Sequence, residues 1–331
     1  MNPQRWVLAI PPEGAARSVA LHTANAFLQH LPADAFKTID AVPYLNGFRQ
    51  LLKKPDDTMT VDLFNQAFAV ACLDFQPTHC LVAALAPVTL FTLQLLRKHG
   101  IRSAHWFFED YRRTPYWKSV LEGYDYLFAI QRGQVEPACK TTGVAYHYLS
   151  TACACADLQY NVTARQFDVV FIGIPSSYRV SVLEGLAQAG LRLAVAGSGW
   201  NNYHGLLEPV ITSASWINDE QAFALMQQAK TGINLSFDNP SGRDDVHISP
   251  RLYDLCAAGC LPVTENVPLL YDAAPGVEIS TFSTTEEAVN VVTGLVKAYS
   301  PDDQRIAGNR EIILNHHRYT HRVAEIISQT I

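Results

Sequence analysis

The chain has 331 residues, 48% hydrophobic and 17% charged, a balance that excludes a disordered polymer and allows about two domains with sizeable cores. A formal net charge of -6, from 25 basic and 31 acidic residues, leaves no basic excess for a phosphate backbone and excludes nucleic acid as a main partner. The seven cysteines are odd in number and form no CxxC pair, which reads as free thiols in a reducing cytoplasm.

Met1 to Pro12 is too short for a signal peptide. The most apolar stretch, Cys80 to Leu96, contains Pro87 and falls short of the roughly 20 residues that cross a bilayer, so no transmembrane segment is expected. In chain order, Trp6 to Ile10 reads as a strand, Pro11 to Gly14 as a loop and Ala15 to Leu31 as a helix. A second strand is expected within Asp34 to Tyr44, then a helix over Val61 to Leu73. His79 to Leu85 is a buried-type strand and Val88 to Lys98 a helix closed by Gly100. Ile101 to Phe107, Tyr124 to Ile130 and Val144 to Leu149 are further strands. A polar break follows from Thr151 to Gln166.

The pattern then restarts. Asp168 to Ile172 is a strand, Gly173 to Tyr178 a loop, Arg179 to Ala189 a helix ended by Gly190, and Leu191 to Ala196 a strand. Helices are expected at Gln221 to Ala229 and Pro250 to Ala258, and strands at Thr231 to Leu235, Leu261 to Thr264 and Val277 to Ser280. The end is helical: Thr285 to Ala298, Pro301 to Leu314 and Thr320 to Gln329. Two rounds of strand–helix alternation predict an α/β protein with two Rossmann-like domains, parallel sheets and a shared cleft. The expected boundaries are 1–155, 166–315 and a final helix, 316–331, packing back on the first domain. Ligands of such sheets bind outside the C-terminal strand ends.

The segment from His247 to Thr264 carries the most chemistry. Ser249 suits an N-cap, Pro250 the first helical turn and Gly259 the C-terminal cap. Free amides at the helix start, with Arg251 beside them, suit a diphosphate. Asp254, one turn on, is placed to accept from ribose hydroxyls. The competing reading is an ordinary capped helix with a solvated Arg and Asp. Gly173 and Gly197 follow strands and allow close approach of a ligand to backbone, and Gly14 offers a further phosphate or acceptor loop. Of His316, His317 and His321, the last two share one helix face, but there is no HExxH pattern and no evident third ligand for that pair, so no metal site is expected. His105, inside a strand, reads as a core histidine. Asn161-Val-Thr163 matches a glycosylation acceptor, idle in a cytoplasmic chain.

Arg251 to Thr264, with Leu269 and Pro275-Gly-Val-Glu278, resembles the C-terminal half of spore maturation protein B-like (CgeB-like) glycosyltransferases, which belong with the family-4-type GT-B enzymes. Asp168 to Leu186 is similar to the strand, Gly loop and Arg-bearing helix that open that half. Glu286-Glu287 and Arg305 to Arg322 resemble its ending, and Trp106 to Asp110, Tyr124 to Tyr126, and Tyr148-Leu149 with Ala152 to Ala156 resemble the N-terminal domain. The resemblance covers about two thirds of the chain and is carried by the order and spacing of these segments.

It implies a GT-B fold and a retaining, metal-independent transfer from a nucleoside-diphosphate sugar, which is a substrate and not a cofactor. Gly173, Arg179, Gly197, His247, Ser249, Arg251 and Asp254 would hold the donor, and Arg179 and Arg251 would stabilise the leaving diphosphate. Asp110, with Glu109 beside it, follows the strand Ile101 to Phe107 and would orient or deprotonate an acceptor hydroxyl; the alternative is plain pairing with Arg112 and Arg113. The family carries two glutamates eight residues apart. The second aligns with Asp254 and the first with Val246, which has no carboxylate; Asp244, Asp245 or His247 are the nearest substitutes. The usual proline after the Tyr-Leu pair is Ser150. Val246 favours an alternative, a catalytically degenerate GT-B shell that binds a nucleotide or sugar. An exported binding protein and a nucleotide-sugar epimerase are further alternatives; the free cysteines count against export.

Overall fold

The computed structural model describes residues 4–47, 57–161 and 164–331. Val162 and Thr163 of the glycosylation triplet lie outside them. The chain divides into two compact units, Met1–Thr151 with Tyr319–Ile331, and Ala152–Arg318.

The first unit runs β1 (Trp6–Ile10), α1 (Gly14–His30), β2 (Phe36–Asp40), α2 (Asp57–Phe75), β3 (His79–Ala83), α3 (Leu90–Lys98), β4 (Arg102–Phe107), α4 (Trp117–Val120), β5 (Tyr126–Ala129), α5 (Val135–Thr142) and β6 (Ala145–Tyr148). All its strands pair in parallel, in the order β2-β1-β3-β4-β5-β6. Every residue of β1 and β3 is buried, as expected for central strands covered on both faces. The order switches sides between β1 and β3, which places the loops after these strands at the crevice-forming edge.

The second unit runs β7 (Phe167–Ile172), α6 (Ser177–Gln188), β8 (Leu193–Ala196), β9 (Ile211–Ser213), α7 (Asp219–Met226), β10 (Ala229–Asn234), α8 (Arg251–Ala257), β11 (Leu261–Glu265), α9 (Leu269–Ala273), β12 (Ser280–Phe282), α10 (Thr285–Ala298) and α11 (Gln304–His316). Its parallel sheet has the order β12-β11-β10-β7-β8-β9, the doubly wound Rossmann arrangement, with the switch between β7 and β10. Side chains of a strand alternate between faces, and the core follows that alternation. Val170 packs with Phe223, Leu252 and Tyr253, whereas its neighbours Val169 and Phe171 pack with Val182, Leu186 and Ile233. Each such large apolar side chain contributes about 1.5–3 kcal/mol on burial.

The last helix, α12 (Tyr319–Gln329), belongs to the first unit. His22 stacks on Tyr319 with ring centroids 5.2 Å apart, and Arg322 donates to the carbonyls of Ser150 and Thr151 at 3.0 and 3.1 Å. His79 Nε2 lies 3.0 Å from the Thr330 carbonyl.

Several boundaries differ from the sequence expectations for local reasons. The helix expected at Gln221 to Ala229 starts earlier, because Asn218 and Gln221 form a capping box, and ends at Met226, leaving Ala229 to open β10. The strand expected at Val277 to Ser280 forms instead at Ser280–Phe282, where it pairs with Val263, Thr264 and Glu265. Ser249 is not the N-cap of α8: Pro250 holds that position, while the Ser249 hydroxyl accepts from the Arg251 amide at 3.3 Å. Among the described residues, no helix is long and apolar enough to cross a membrane.

Candidate functional site

Parallel strands place every strand-to-helix loop of the second unit on one edge, and most of the expected donor residues fall there. Gly173 follows β7 and Gly197 follows β8, with the Gly173 amide donating to the Ala196 carbonyl at 2.9 Å. Gly197 adopts a φ of 140°, open to glycine, and its Cα faces the Gly173 backbone closely. Trp200 Nε1 donates to the Gly173 carbonyl at 2.8 Å, fixing the pair from behind. The two glycines pack backbone to backbone beside the strand switch, with the Phe171 ring and the Arg179 guanidinium against Gly173.

Arg179, in the first turn of α6, is committed differently from the sequence expectation. Its guanidinium donates to the carbonyls of Ile174, Leu235 and Ser236 at 2.9, 2.7 and 3.0 Å. It also lies 5.5 Å from the ring centres of both Phe171 and Phe237. Arg179 therefore ties the loop after β7 to the loop after β10, across the switch point. Glu265, which sequence reasoning passed over, holds the same loop from β11: Oε1 accepts from the Ser236 amide at 2.6 Å. Glu265 is 3% exposed, and burial raises its pKa above the usual glutamate range despite hydrogen bonds and Arg179 pulling it down. Its position as the last residue of a buried strand was the signal available in the sequence.

Arg251 opens α8, with its side chain 22% exposed and one guanidinium nitrogen 3.1 Å from Asp254. Asp254 itself is 2% exposed. Its Oδ1 accepts from the Ala154 and Cys155 amides at 2.8 and 3.2 Å and from the Cys153 thiol at 3.4 Å. His247 is half-buried between the core residues Val246 and Ile248 in the segment between β10 and α8. Val246 is 1% exposed and packed in the core, Asp245 is buried, and Asp244 is exposed. Among the described residues, no group of three or more His, Cys, Asp or Glu is arranged to hold a metal. His317 instead stacks on Tyr253, with ring centroids 5.3 Å apart.

In the first unit, Glu109 and Asp110 follow β4 at the C-terminal edge, and the structure separates them. Asp110 Oδ1 accepts from the Arg112 amide at 2.9 Å and from Arg112 Nε at 3.2 Å. Burial raises the Glu109 pKa, opposed by Arg113 and reinforced by Asp110. A carboxylate of raised basicity at a sheet edge is the better proton acceptor. Gly14 opens α1 at φ 73°, with open space around it, and Arg17 braces the preceding loop through the Pro11 carbonyl and a paired contact with Asp40 at 2.7 Å.

A second group near Glu109 was not legible as a unit in the sequence. His105 is 1% exposed, and burial lowers its pKa to about 4. A neutral ring 2.7 Å from the Val82 carbonyl donates through Nδ1. Nε2 then accepts from the Tyr116 hydroxyl at 3.3 Å, and that hydroxyl accepts from the Leu85 amide at 2.8 Å. Leu85 sits at φ 65°, a left-handed conformation costly for a leucine, and is 41% exposed.

Residues 179–328 match the family described as glycosyl transferase-like. A search of curated proteins by sequence returns no match. Among solved structures, a glycosyltransferase from Rickettsia africae is similar at TM-score 0.64 and 11% identity, covering 99% of this chain and 98% of that one. Sucrose-phosphate synthase from Thermosynechococcus elongatus is similar at TM-score 0.64 and 12% identity, covering 99% and 98%. Anabaena Alr3699/HepE, in complex with UDP-glucose, is similar at TM-score 0.65 and 12% identity, covering 98% and 99%. The chain therefore has the fold of these GT-B-type structures, and its residues 179–328 are similar to a glycosyl transferase-like family. The family match spans less than half of the chain, and identities this low speak for the fold alone.

Proposed function

We propose that the chain transfers a sugar from a nucleoside-diphosphate sugar, bound by the second unit, to an acceptor hydroxyl bound by the first. The observation that carries the reading is the family match over 179–328, which falls on a Rossmann-ordered sheet whose switch-point edge bears Gly173, Gly197 and Arg251. The glycines let the loops after β7 and β8 close together at the edge where the donor would lie, and Arg251 supplies the positive charge for the leaving diphosphate. Such stabilisation replaces a metal, and the outcome at the anomeric carbon is retention, as in the CgeB-like enzymes the sequence resembles. Uridine diphosphate is the first donor nucleotide to test, because HepE is seen with UDP-glucose. Glu109 takes the acceptor proton, with Asp110 holding the turn through Arg112. The setting is cytoplasmic, in keeping with seven free thiols.

A second reading rests on Val246, whose packed, apolar side chain stands where the family has a glutamate. In that reading the fold binds nucleotide without turnover. A thermal-stability screen against UDP-, GDP-, dTDP- and CDP-sugars tests donor binding. A ligand present at about 100 times its dissociation constant adds about 2.7 kcal/mol. A shift with one nucleotide class supports the donor site, and no shift with any of them removes it.

A further inference from the structure

The acid at position 254 aligns with a family glutamate and, by spacing, invites a ribose role. Its surroundings say otherwise. The carboxylate is 2% exposed and carries four donors: the Ala154 and Cys155 amides, the Cys153 thiol and the Arg251 guanidinium. Three of these donors converge on Oδ1 and one meets Oδ2, so both oxygens of the buried carboxylate are engaged within the protein. The two oxygens divide the work. Oδ1 is anchored to the backbone where the chain enters the second unit, and Oδ2 faces Arg251 at 3.1 Å. The pair is spaced three residues apart on α8, so the helix fixes its geometry.

We infer that Asp254 is a positioning residue that holds the Arg251 guanidinium ready for the donor diphosphate, and that it does not read the ribose. The inference rests on the donor-site reading above. It assigns Asp254 a one-sided link: the backbone of Ala154 and Cys155 fixes the carboxylate, the carboxylate fixes Arg251, and Arg251 meets the phosphates. Holding a long side chain in its binding geometry removes an ordering cost that the ligand would otherwise meet.

Asp254→Asn isolates this link. The amide oxygen still accepts from Ala154 and Cys155, whereas the amide nitrogen turns a donor toward Arg251. UDP and 2′-deoxy-UDP are titrated by calorimetry into wild type, D254N, Arg251→Ala and the double variant, with melting curves as the folding control. The expected result is a loss of about tenfold for both nucleotides in D254N, the size of one charge-assisted hydrogen bond. In the Arg251→Ala background the same substitution has almost no further effect, because its target is gone. Guanidinium added to Arg251→Ala restores part of the UDP affinity if Asp254 still gathers the cation, a readout that does not depend on D254N folding. Unchanged UDP binding in D254N, or no rescue, overturns the inference. So does a wild-type preference for UDP over 2′-deoxy-UDP that disappears in D254N, since that marks a ribose contact. A wild type that binds no nucleoside diphosphate at all overturns the donor-site reading itself, and the wild type alone shows it.

Discussion

Gly197 and Gly173 meet backbone to backbone: a Cβ on Gly197 would come within 2.7 Å of the Gly173 carbonyl carbon and closer still to its oxygen. The contact joins the ends of β7 and β8, so neither chain can yield without breaking the pairing behind it. Gly197→Ala combines this clash with a φ of 140° and should cost about 3 kcal/mol or more in denaturant unfolding. Gly190→Ala, at φ 79° with open space around it, serves as the control and should cost about 1 kcal/mol. Equal losses at the two positions would remove the close approach as an explanation.

The two acids after β4 should behave differently. Glu109→Gln should lower sugar transfer by about 100-fold or more, the usual worth of a general base. Asp110→Asn should lower stability through the lost Arg112 contacts and change the rate less than about tenfold. Burial raises the Glu109 pKa, so the active, charged form is lost as pH falls through a value above the ordinary glutamate range of about 4.3. The acid limb of the pH–rate profile should lie above that range and be absent from Glu109→Gln. An acid limb that persists in this variant assigns the base elsewhere.

His105 gives the fold an acid-sensitive element. Its pKa is lowered from 6.5 to about 4 when folded, so between these values the unfolded chain binds a proton that the folded chain refuses. Stability from this group is complete above pH 6.5 and is lost as pH falls toward 4, by about 3 kcal/mol in all. His79 and His147 are shifted the same way by burial, so replacing His105 alone should flatten the slope without removing it. Unfolding midpoints between pH 7 and about 4.5 measure this, and an unchanged slope in His105→Asn contradicts it.

Tyr116 holds Leu85 in its left-handed conformation while donating to His105. Tyr116→Phe leaves two polar groups without that hydroxyl and should cost about 1–3 kcal/mol. Leu85→Gly removes the strain of a positive φ and should leave stability unchanged or raise it. A loss above about 1 kcal/mol in Leu85→Gly would mean that the leucine side chain, and not the backbone, matters there.

The long β–α alternation was legible because several central strands carry apolar runs, as in Trp6 to Ile10 and Val169 to Ile172, bounded by loop residues. Ile211–Ser213 was not, since three residues beside a register shift carry no pattern. Val135–Thr142 was hidden by Pro137 and two threonines, and its left-handed Gly143 cap shows only in the structure. Gly173, Gly197 and Arg251 could be placed at the edge from order alone. The partners of Asp254 and Leu85 could not, because they lie 100 and 31 residues away in sequence and meet only through packing. Arg179 shows the same limit: its place at a helix start was visible, but its three carbonyl partners were not.

The most direct test of the central claim is release of nucleoside diphosphate from a donor sugar. The assay follows UDP formation from UDP-glucose, with water or added glycan acceptors, in wild type and Arg251→Ala. Release above background in wild type, lost in Arg251→Ala, is the predicted result. Nucleotide binding without release, over a full panel of donor sugars, would contradict transfer and leave a binding shell with Val246 in place of the missing acid.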